Sequence, residues 1–206
     1  MKPQVDKNHY FTEFYDKKER FASYWHQINE IIKLNPKSVL EIGIGNKFVS
    51  KYIKERQFNV ISLDIDERLN PDVVGNVLDI PFPDLSFDVI TCYELLEHLP
   101  YENFHKALSE IFRVSCFCAL ISLPDMNRVS RFSMQIPMLG EFRVLIPLPR
   151  IRKKFDEQHY WEIGGNGYSL SKITTDIQRV GFHIERTYRV FEFPYHRLFI
   201  LRKRVD

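Results

Sequence analysis

The stretch that most constrains the fold of this chain runs from residue 38 to residue 46. Its apolar part, residues 39–42, is typical of a short buried strand in a parallel sheet. Gly43 and Gly45 follow directly, so the backbone can turn sharply and a ligand can approach it without meeting a Cβ atom. Because ligands of open α/β sheets bind outside the carboxyl ends of the strands, this turn is a candidate binding site.

A Gly-x-Gly turn alone does not define the ligand. A dinucleotide-binding fingerprint requires a third glycine at position 48, and Phe48 stands there. The sequence therefore argues against a pyrophosphate at this turn. A nucleoside without phosphates can bind beside Phe48 more easily. An ordinary strand-to-helix turn is the alternative as long as the turn is considered by itself.

The composition is that of an ordinary globular chain of 206 residues, long enough for one domain with a substantial core. Hydrophobic residues make up 44%, and no apolar run reaches the length needed to cross a bilayer. The first residues are polar and lack the apolar core of a signal peptide. Cys92, Cys116 and Cys118 lie in apolar segments, which favours reduced core thiols. We therefore expect a cytoplasmic protein.

The net charge of +2 gives no global field that would attract nucleic acid. One local segment is basic, and prolines interrupt it; its cations are Arg143, Arg150, Arg152, Lys153 and Lys154. Such a run is most often a solvated face. The alternative is contact with phosphates, either of RNA or of a nucleotide-linked or lipid-linked sugar.

Apolar periodicity predicts alternating helices and strands along most of the chain. The predicted helices cover residues 17–34, 49–56, 94–99, 102–114 and 169–180. The predicted strands cover residues 39–42, 58–64, 73–79, 87–92, 117–123, 182–191 and 196–204. This alternation favours an α/β fold with a doubly wound, seven-stranded, mostly parallel sheet. The link between the last two strands is too short for a crossover, so they must form a C-terminal antiparallel hairpin.

We expect residues 1–206 to form a single domain, with residues 1–34 as an N-terminal helical cap. Residues 124–167 are rich in proline and glycine and break the regular pattern. A long irregular segment in a compact domain is usually functional, so this one is expected to be a lid or a substrate loop. Within it, residues 159–162 read His-Tyr-Trp-Glu. They predict either a pocket wall or a surface turn that Trp161 anchors in the core.

Asp64 ends the second predicted strand with a carboxylate, 23 residues after Glu41. An acidic side chain at this place can accept hydrogen bonds from both hydroxyls of a ribose. The structural alternative for Asp64 is a helix N-cap, which the next residues also permit. The two interpretations are compatible, and the glycine turn adds weight to the first.

Several motifs therefore occur in a fixed order: the Glu-x-Gly-x-Gly turn at 41–45, the acid at 64, Asp-Ile-Pro-Phe-Pro-Asp at 79–84, Phe-Asp-Val-Ile at 87–90 and Glu-Leu-Leu-Glu-His-Leu at 94–99. Over residues 38–123 this order resembles the class I S-adenosylmethionine-dependent methyltransferases. The resemblance implies a Rossmann-like methyltransferase fold, with a reversed last strand inserted between its neighbours, and S-adenosylmethionine as cofactor. The family often has a third glycine where this sequence has Lys47.

The resemblance also implies which residues bind the cofactor. The set is Glu41, Gly43, Gly45, Asp64, Ile65, Asp79, Ile80, Cys92 and Tyr93. Its first three members are expected at the methionine end. The acid at 64 is expected at the ribose hydroxyls, and residue 65 on the adenine. Residues 79 and 80 are expected at the exocyclic amine of the adenine, and residues 92 and 93 beside the sulfonium.

Transfer of a sulfonium methyl group depends mainly on positioning and on exclusion of water, but a hydroxyl acceptor also requires a general base. Glu94, Glu97 and His98 are candidates, because they share the predicted helix after the fourth strand. Four-residue spacing would place the first and last of them on one helix face. Helix packing is the competing interpretation for His98. His159 is a further candidate base, and no metal-ligand cluster stands out in the sequence.

The acceptor is the least determined part of the prediction. The strand-four end reads Thr-Cys-Tyr-Glu, which differs from the Asn/Asp-Pro-Pro-Tyr signature of enzymes that methylate planar amines. Aromatic and basic residues after position 142, together with a likeness to uncharacterised prokaryotic methyltransferases associated with surface polysaccharides, favour a hydroxyl oxygen of a small molecule or glycan. An RNA methyltransferase and a non-catalytic S-adenosylmethionine-binding module are the alternatives.

Overall fold

The computed structural model describes residues 6–13, 15–149 and 158–203. Its four α-helices are α1 (Lys18–Leu34), α2 (Phe48–Glu55), α3 (Phe104–Val114) and α4 (Leu170–Arg179). Its strands are β1 (Val39–Ile42), β2 (Val60–Asp64), β3 (Val73–Val74), β4 (Phe87–Tyr93), β5 (Ser115–Pro124), β6 (Val129–Ile136), β7 (Gly140–Pro147), β8 (Phe182–Arg189) and β9 (His196–Lys203).

Seven strands form one sheet in the order β3-β2-β1-β4-β5-β9-β8. The first five are parallel to one another, as in the pairs Val39 with Val60 and Val39 with Val89. β9 lies between β5 and β8 and is antiparallel to both. The predicted fold class is thereby confirmed, including the reversed last strand.

Helices cover both faces of this sheet. Leu40 and Ile42 point to the face that α3 and α4 cover, and the core there also contains Trp161. Val39 points to the opposite face, where α1 and α2 supply residues such as Ile31. Because β1 is buried on both faces, its sequence is apolar at nearly every position.

The helix boundaries follow from local chemistry. α1 is followed by its C-cap residue Asn35, which has a left-handed φ of 45° and precedes a proline. Ser169 caps α4, because its side chain accepts a hydrogen bond from the N–H of Lys172. Lys47, at the start of α2, also has a left-handed φ of 63°. It takes the conformation that a glycine would adopt more easily, and its ammonium group donates to the carbonyl of Asn70.

Two predicted elements are shorter in the structure. β3 ends at Val74 rather than at residue 79, because a tight turn follows in which the Asp79 N–H donates to the carbonyl of Asn76. The predicted helix at 94–99 is only a 3-10 turn, Leu96–His98. Glu94 has a φ of 47°, which is incompatible with a helix starting at that residue.

The segment predicted to be irregular contains a regular hairpin, β6 paired with β7. The sequence prediction gave too much weight to its prolines and glycines, since Pro137 and Gly140 lie at the hairpin turn. One face of the hairpin is apolar and exposed, with Phe132 and Phe142 among its side chains. On the other face Arg131 donates to the backbone carbonyl of Glu192. Among the described residues, no helix is long and apolar enough to span a bilayer.

Candidate functional site

A cavity of about 590 Å³ lies at the carboxyl edge of the parallel strands. Its size is within the usual range for small-molecule and cofactor sites. The ends of β1, β2 and β4 and the loop after β3 form its floor, and the start of β9 adds one side. Further walls come from the segment after β4, from Gln158 and His159, and from five residues at positions 9, 10, 12, 15 and 20.

The glycine turn keeps the floor of the cavity open. Gly43 has a φ of 78°, and a Cβ atom at this position would collide with the side chain of Leu95. Gly45 has a φ of 47° and lies under Tyr15, whose hydroxyl would be 3.4 Å from an added Cβ atom. Both predicted glycines line the cavity. A side chain at Gly43 would therefore need Leu95 to move, and one at Gly45 would strain the backbone.

Asp64 lines the same cavity at the end of β2. Its Oδ2 accepts a hydrogen bond of 2.9 Å from the Ile44 N–H, and its Oδ1 accepts one of 2.8 Å from the Asp66 N–H. The N-cap of the following 3-10 turn is Asp66, whose carboxylate accepts from Arg68. Asp64 is therefore held by the backbone with both oxygens oriented at the cavity edge, and Ile65 lies beside it.

Asp79 and Ile80 do not line the cavity. The tight turn after β3 leaves the Asp79 side chain exposed, whereas Ile80 is buried and donates its N–H to Glu110. In their place Asn76 and its neighbours at 75 and 77 line the cavity. Asn76 directly follows the two-residue strand and its glycine. The sequence prediction would have identified it if β3 had been predicted to end at Val74.

Glu41 and Cys92 are also placed differently from the prediction, since neither side chain lines the cavity. Side chains alternate along a strand, so Glu41 points to the face covered by α1 and α2, where Ser50 is a hydrogen-bonding neighbour. Burial raises the pKa of Glu41 to about 7. The Cys92 thiol is enclosed in the core on the opposite face. Tyr93 does line the cavity.

The other end of the cavity carries a cluster of ionisable side chains, which we call the polar cluster. Its members are Glu94, Glu97, His98, His159, Glu162, Tyr195 and His196. Glu94 directly follows β4, and its Oε2 is 3.5 Å from Nε2 of His196. Burial raises the pKa of Glu94 to about 7 and lowers the pKa of His196 well below its ordinary value. Both shifts favour the neutral forms of these two side chains.

The two predicted histidines are oriented by oxygen acceptors. Nδ1 of His98 donates to the carbonyl of Gln158 over 3.0 Å, and Nδ1 of His159 donates to Oε1 of Glu162 over 2.8 Å. The hydroxyl of Tyr195 donates to the same Glu162 oxygen over 2.7 Å. The His98 and His159 rings pack edge to face, 4.8 Å apart. His98 thus has both a packing role and a place on the cavity surface.

Glu97 is the most deeply buried acid of the polar cluster, with an exposed fraction of 0%. Neither of its carboxylate oxygens has a hydrogen-bond partner among the described residues. Burial and the neighbouring Glu94 carboxylate raise its pKa well above the ordinary value. Potential ligand atoms of Glu97, His98 and His159 lie within 4.8 Å of one another. The sequence did not show this group, because its last member is distant along the chain.

Residues 159–162 combine the two roles that the sequence left open. Trp161 is fully buried, and its indole Nε1 donates to the carbonyl of Leu99 over 3.0 Å. Tyr160 is 54% exposed, and its N–H donates to the carbonyl of Glu97. The core anchor at Trp161 thus fixes His159 at the cavity wall.

The N-terminal wall of the cavity is aromatic and was not predicted as part of the site. His9, Tyr10 and Tyr15 pack edge to face with ring centroids 5.3 to 5.6 Å apart. The guanidinium of Arg20, in the first turn of α1, lies 3.9 Å from the ring centroid of Tyr15. The polar side chain of Asn46 donates to Asp16 over 3.2 Å.

Comparison with known proteins gives consistent matches. The family model of a methyltransferase domain matches residues 40–116. An uncharacterized protein of Methanocaldococcus jannaschii is 32% identical in an alignment of 125 residues, and the match covers 50% of this chain and 54% of that protein. A probable S-adenosylmethionine-dependent methyltransferase of Mycolicibacterium smegmatis is 30% identical over 185 residues, 82% of this chain and 63% of that protein. The chain therefore spans less than two thirds of the length of these relatives.

A solved structure adds evidence on the fold. The crystal structure of an S-adenosylmethionine-dependent methyltransferase from Archaeoglobus fulgidus is similar to this chain with a TM-score of 0.67. The match covers 96% of this chain and 100% of that one, at 14% sequence identity. At such low identity the similarity is one of fold.

Proposed function

Because the chain belongs to the class I S-adenosylmethionine-dependent methyltransferases, we propose that it transfers a methyl group to a hydroxyl oxygen of a small molecule or glycan. One observation carries the proposal. A single cavity connects Asp64 and the glycine turn with the polar cluster that contains Glu94, His98 and His159. A methyl donor and an acceptor can therefore meet in one space, between β2 and β9.

The position of each strand end supports one orientation of the cofactor. Asp64 would accept hydrogen bonds from the ribose hydroxyls, with Ile65 and Asn76 against the adenine. The glycine turn between them and Tyr93 would accommodate the methionine part. β2 and β4 flank β1 and are two strand spacings apart, about 10 Å. This is a suitable separation for the ribose and sulfonium ends of one adenosyl ligand.

S-adenosylmethionine supplies a methyl group already activated by a positive sulfur. In the proposed reaction the acceptor oxygen forms a bond to the methyl carbon as the carbon–sulfur bond breaks, and the sulfur keeps the electron pair. Glu94 takes the hydroxyl proton, since it follows β4 beside Tyr93 and its Oε1 has no hydrogen-bond partner among the described residues. His98 and His159 border the space for the acceptor, and the aromatic wall excludes water.

The cavity lining supports a ring-shaped hydroxyl compound as acceptor. Tyr10, Tyr15 and Tyr195 offer aromatic faces or edges with polar tips, which suit the apolar and hydroxyl surfaces of a sugar ring. The RNA alternative has less support, because Arg143 is engaged by Glu141 and Glu192. The other four cations of the basic segment, at positions 150 and 152–154, lie outside the described residues.

Calorimetric titration with S-adenosylhomocysteine tests the cofactor site. We expect Asp64→Asn to weaken binding by about 10- to 100-fold, since hydrogen bonds to a charged group contribute about 1.5–3 kcal/mol. Asp79→Asn is the matched control, because this carboxylate is exposed and outside the cavity; its affinity should equal that of the unmodified chain. Thermal unfolding of each variant shows whether Asp64→Asn is folded.

Equal affinities in the Asp64→Asn and unmodified chains would refute the ribose assignment. No binding of S-adenosylhomocysteine or S-adenosylmethionine to the folded chain would refute methyl transfer altogether. Acceptors are then compared by S-adenosylhomocysteine formation with hydroxylated sugars, phenols and RNA. Turnover with RNA alone, falling steeply as salt rises, would replace the small-molecule or glycan proposal by the RNA alternative.

A further inference from the structure

We propose that Glu97, His98 and His159 bind one divalent transition-metal ion at the acceptor end of the cavity. Their potential ligand atoms lie within 4.8 Å of one another. Two nitrogen or oxygen ligands that are each about 2.1 Å from one ion can be at most about 4.2 Å apart. At a tetrahedral angle the same two atoms are about 3.4 Å apart, so side-chain rotations that bring the widest pair closer by about 1.4 Å or less convert this cluster into a coordination site.

The state of Glu97 is an independent observation that points to a cation. Its side chain is fully buried, and both carboxylate oxygens lack a hydrogen-bond partner among the described residues. Buried polar groups nearly always have partners, and a buried carboxylate without one is costly. A bound cation beside Glu97 would stabilise the charge and explain why an acid is tolerated there.

The two histidines are oriented as metal ligands usually are. In most sites the ligating ring donates its other N–H to a carboxylate or a backbone carbonyl, which fixes the tautomer. Nδ1 of His159 donates to Glu162 in this way, and Nδ1 of His98 donates to the carbonyl of Gln158. Nε2 is consequently the coordinating nitrogen of both rings. Tyr195 completes the arrangement by donating to the same Glu162 oxygen.

The ligand set selects the class of ion. Mg²⁺ and Ca²⁺ prefer oxygen ligands throughout, whereas two imidazoles with one carboxylate suit Mn²⁺, Fe²⁺, Co²⁺ or Zn²⁺. Three protein ligands leave coordination positions open. These positions would face the cavity, because Glu97, His98 and His159 all line it.

An ion at this place has a chemical use that rests on the proposed function. A hydroxyl oxygen of the acceptor can occupy an open position, and the ion then lowers its pKa so that Glu94 can remove the proton. The same oxygen forms the bond to the methyl carbon. Binding of the ion itself does not depend on methyl transfer, so the two proposals can fail separately.

Cobalt titration of the metal-free protein tests the site directly. The chain is freed of metal with a chelator, and Co²⁺ is added while its visible d–d absorption and the heat of binding are recorded. We expect saturation at one ion per chain, with no displacement by excess Mg²⁺. Glu97→Gln and His159→Gln should each lower the affinity at least tenfold. Glu162→Gln should lower it about 10- to 100-fold, since it acts only through the His159 ring.

Exposed residues of the same types provide the controls. Glu102→Gln and His183→Gln change side chains outside the cavity and should bind Co²⁺ like the unmodified chain. Should a ligand variant fail to unfold cooperatively on heating, Glu162→Gln decides, because it leaves all three ligands in place.

Two results would overturn the metal site. One is the absence of a cobalt spectrum in the folded, unmodified chain. The other is an unchanged affinity in folded Glu97→Gln and His159→Gln, or in Glu162→Gln if those two do not fold. Titration with S-adenosylhomocysteine in the absence of metal separates the proposals. Cobalt binding without nucleoside binding would support the ion site and refute methyl transfer.

Discussion

Glu41 is an ionisable side chain in the middle of β1, packed between the sheet and α2. Burial raises its pKa from 4.5 to about 7. The folded chain therefore binds more protons than the unfolded chain between these two pH values. Stability must fall as pH rises through this interval, because protonation of Glu41 favours the folded state.

The fall of stability with rising pH gives a prediction for Glu41→Gln. From pH 4.5 to pH 8 the unmodified chain should lose up to about 3 kcal/mol of unfolding free energy relative to the variant, since one pKa unit corresponds to about 1.4 kcal/mol. Urea unfolding at a series of pH values measures the difference. Parallel pH profiles for the two chains would contradict it. Glu102→Gln, at an exposed position, provides the comparison that should show no such trend.

Lys47 shows how a residue can depart from a family pattern without changing the turn. It stands where the family often has glycine and takes the left-handed backbone that a glycine would adopt, with a φ of 63°. The strain of such a backbone is about 1 kcal/mol for a non-glycine residue. The hydrogen bond from its ammonium group to Asn70 offsets part of that cost. The glycine turn therefore keeps its open floor at Gly43 and Gly45.

At the level of elements, the segment 158–163 connects the core with the cavity. The buried Trp161 donates to the carbonyl of Leu99 and packs against Phe104, and His159 lies two residues before it. Removing the indole N–H would leave that buried carbonyl without this donor. Such a loss is expensive, and a phenyl ring in place of the larger indole would also leave a cavity in the core.

Trp161→Phe should therefore destabilise the fold by about 1–3 kcal/mol, measured by urea unfolding. Tyr160→Phe changes an exposed neighbour and should stay within about 0.5 kcal/mol of the unmodified chain. If both variants unfolded at the same urea concentration as the unmodified chain, the anchor described for this segment would be incorrect.

Elements that are marked by a local sequence pattern could be predicted from the sequence. The strands β1, β2, β4, β5, β8 and β9, the glycine turn and the acid at the end of β2 are marked by local pattern, and the structure has them where the sequence predicts them to within a few residues. β3 was overextended because an apolar pattern continues past Val74 into the turn. The β6–β7 hairpin was missed because its turn residues concealed the alternation on its strands. Local propensity does not determine where such a pattern stops.

The candidate site divides in the same way. The half with Asp64 and the glycine turn follows from short motifs. The role of Asn76 could be predicted only by a reader who knew that β3 ends at Val74. The half with Glu97, His159 and Tyr195 is assembled from positions up to about a hundred residues apart. No periodicity relates these positions, since only the sheet order brings the start of β9 next to the end of β5.

At the scale of the whole molecule, ligand binding should change stability. A ligand that binds only the folded state stabilises it by about 2.7 kcal/mol at 100 times its dissociation constant. For a chain of 206 residues this corresponds to a rise of roughly 5–11 °C in Tm. Calorimetric scans with and without S-adenosylhomocysteine measure the shift. The folded Asp64→Asn variant should show a much smaller rise at the same concentration, and an equal rise would contradict the ribose assignment.

The aromatic N-terminal wall has a consequence for the rate at which a ligand enters and leaves the cavity. Its three aromatic residues precede α1 and lie outside the sheet, and their side chains are only partly buried. Segments with few buried contacts open at far lower free energy than the core. The contacts that close the cavity at the N-terminal wall are thus separate from those that hold the sheet and its helices together. S-adenosylhomocysteine can therefore dissociate while every strand stays paired. We expect substitutions at Tyr10 or Tyr15 to change its dissociation rate and to leave the melting temperature almost unchanged.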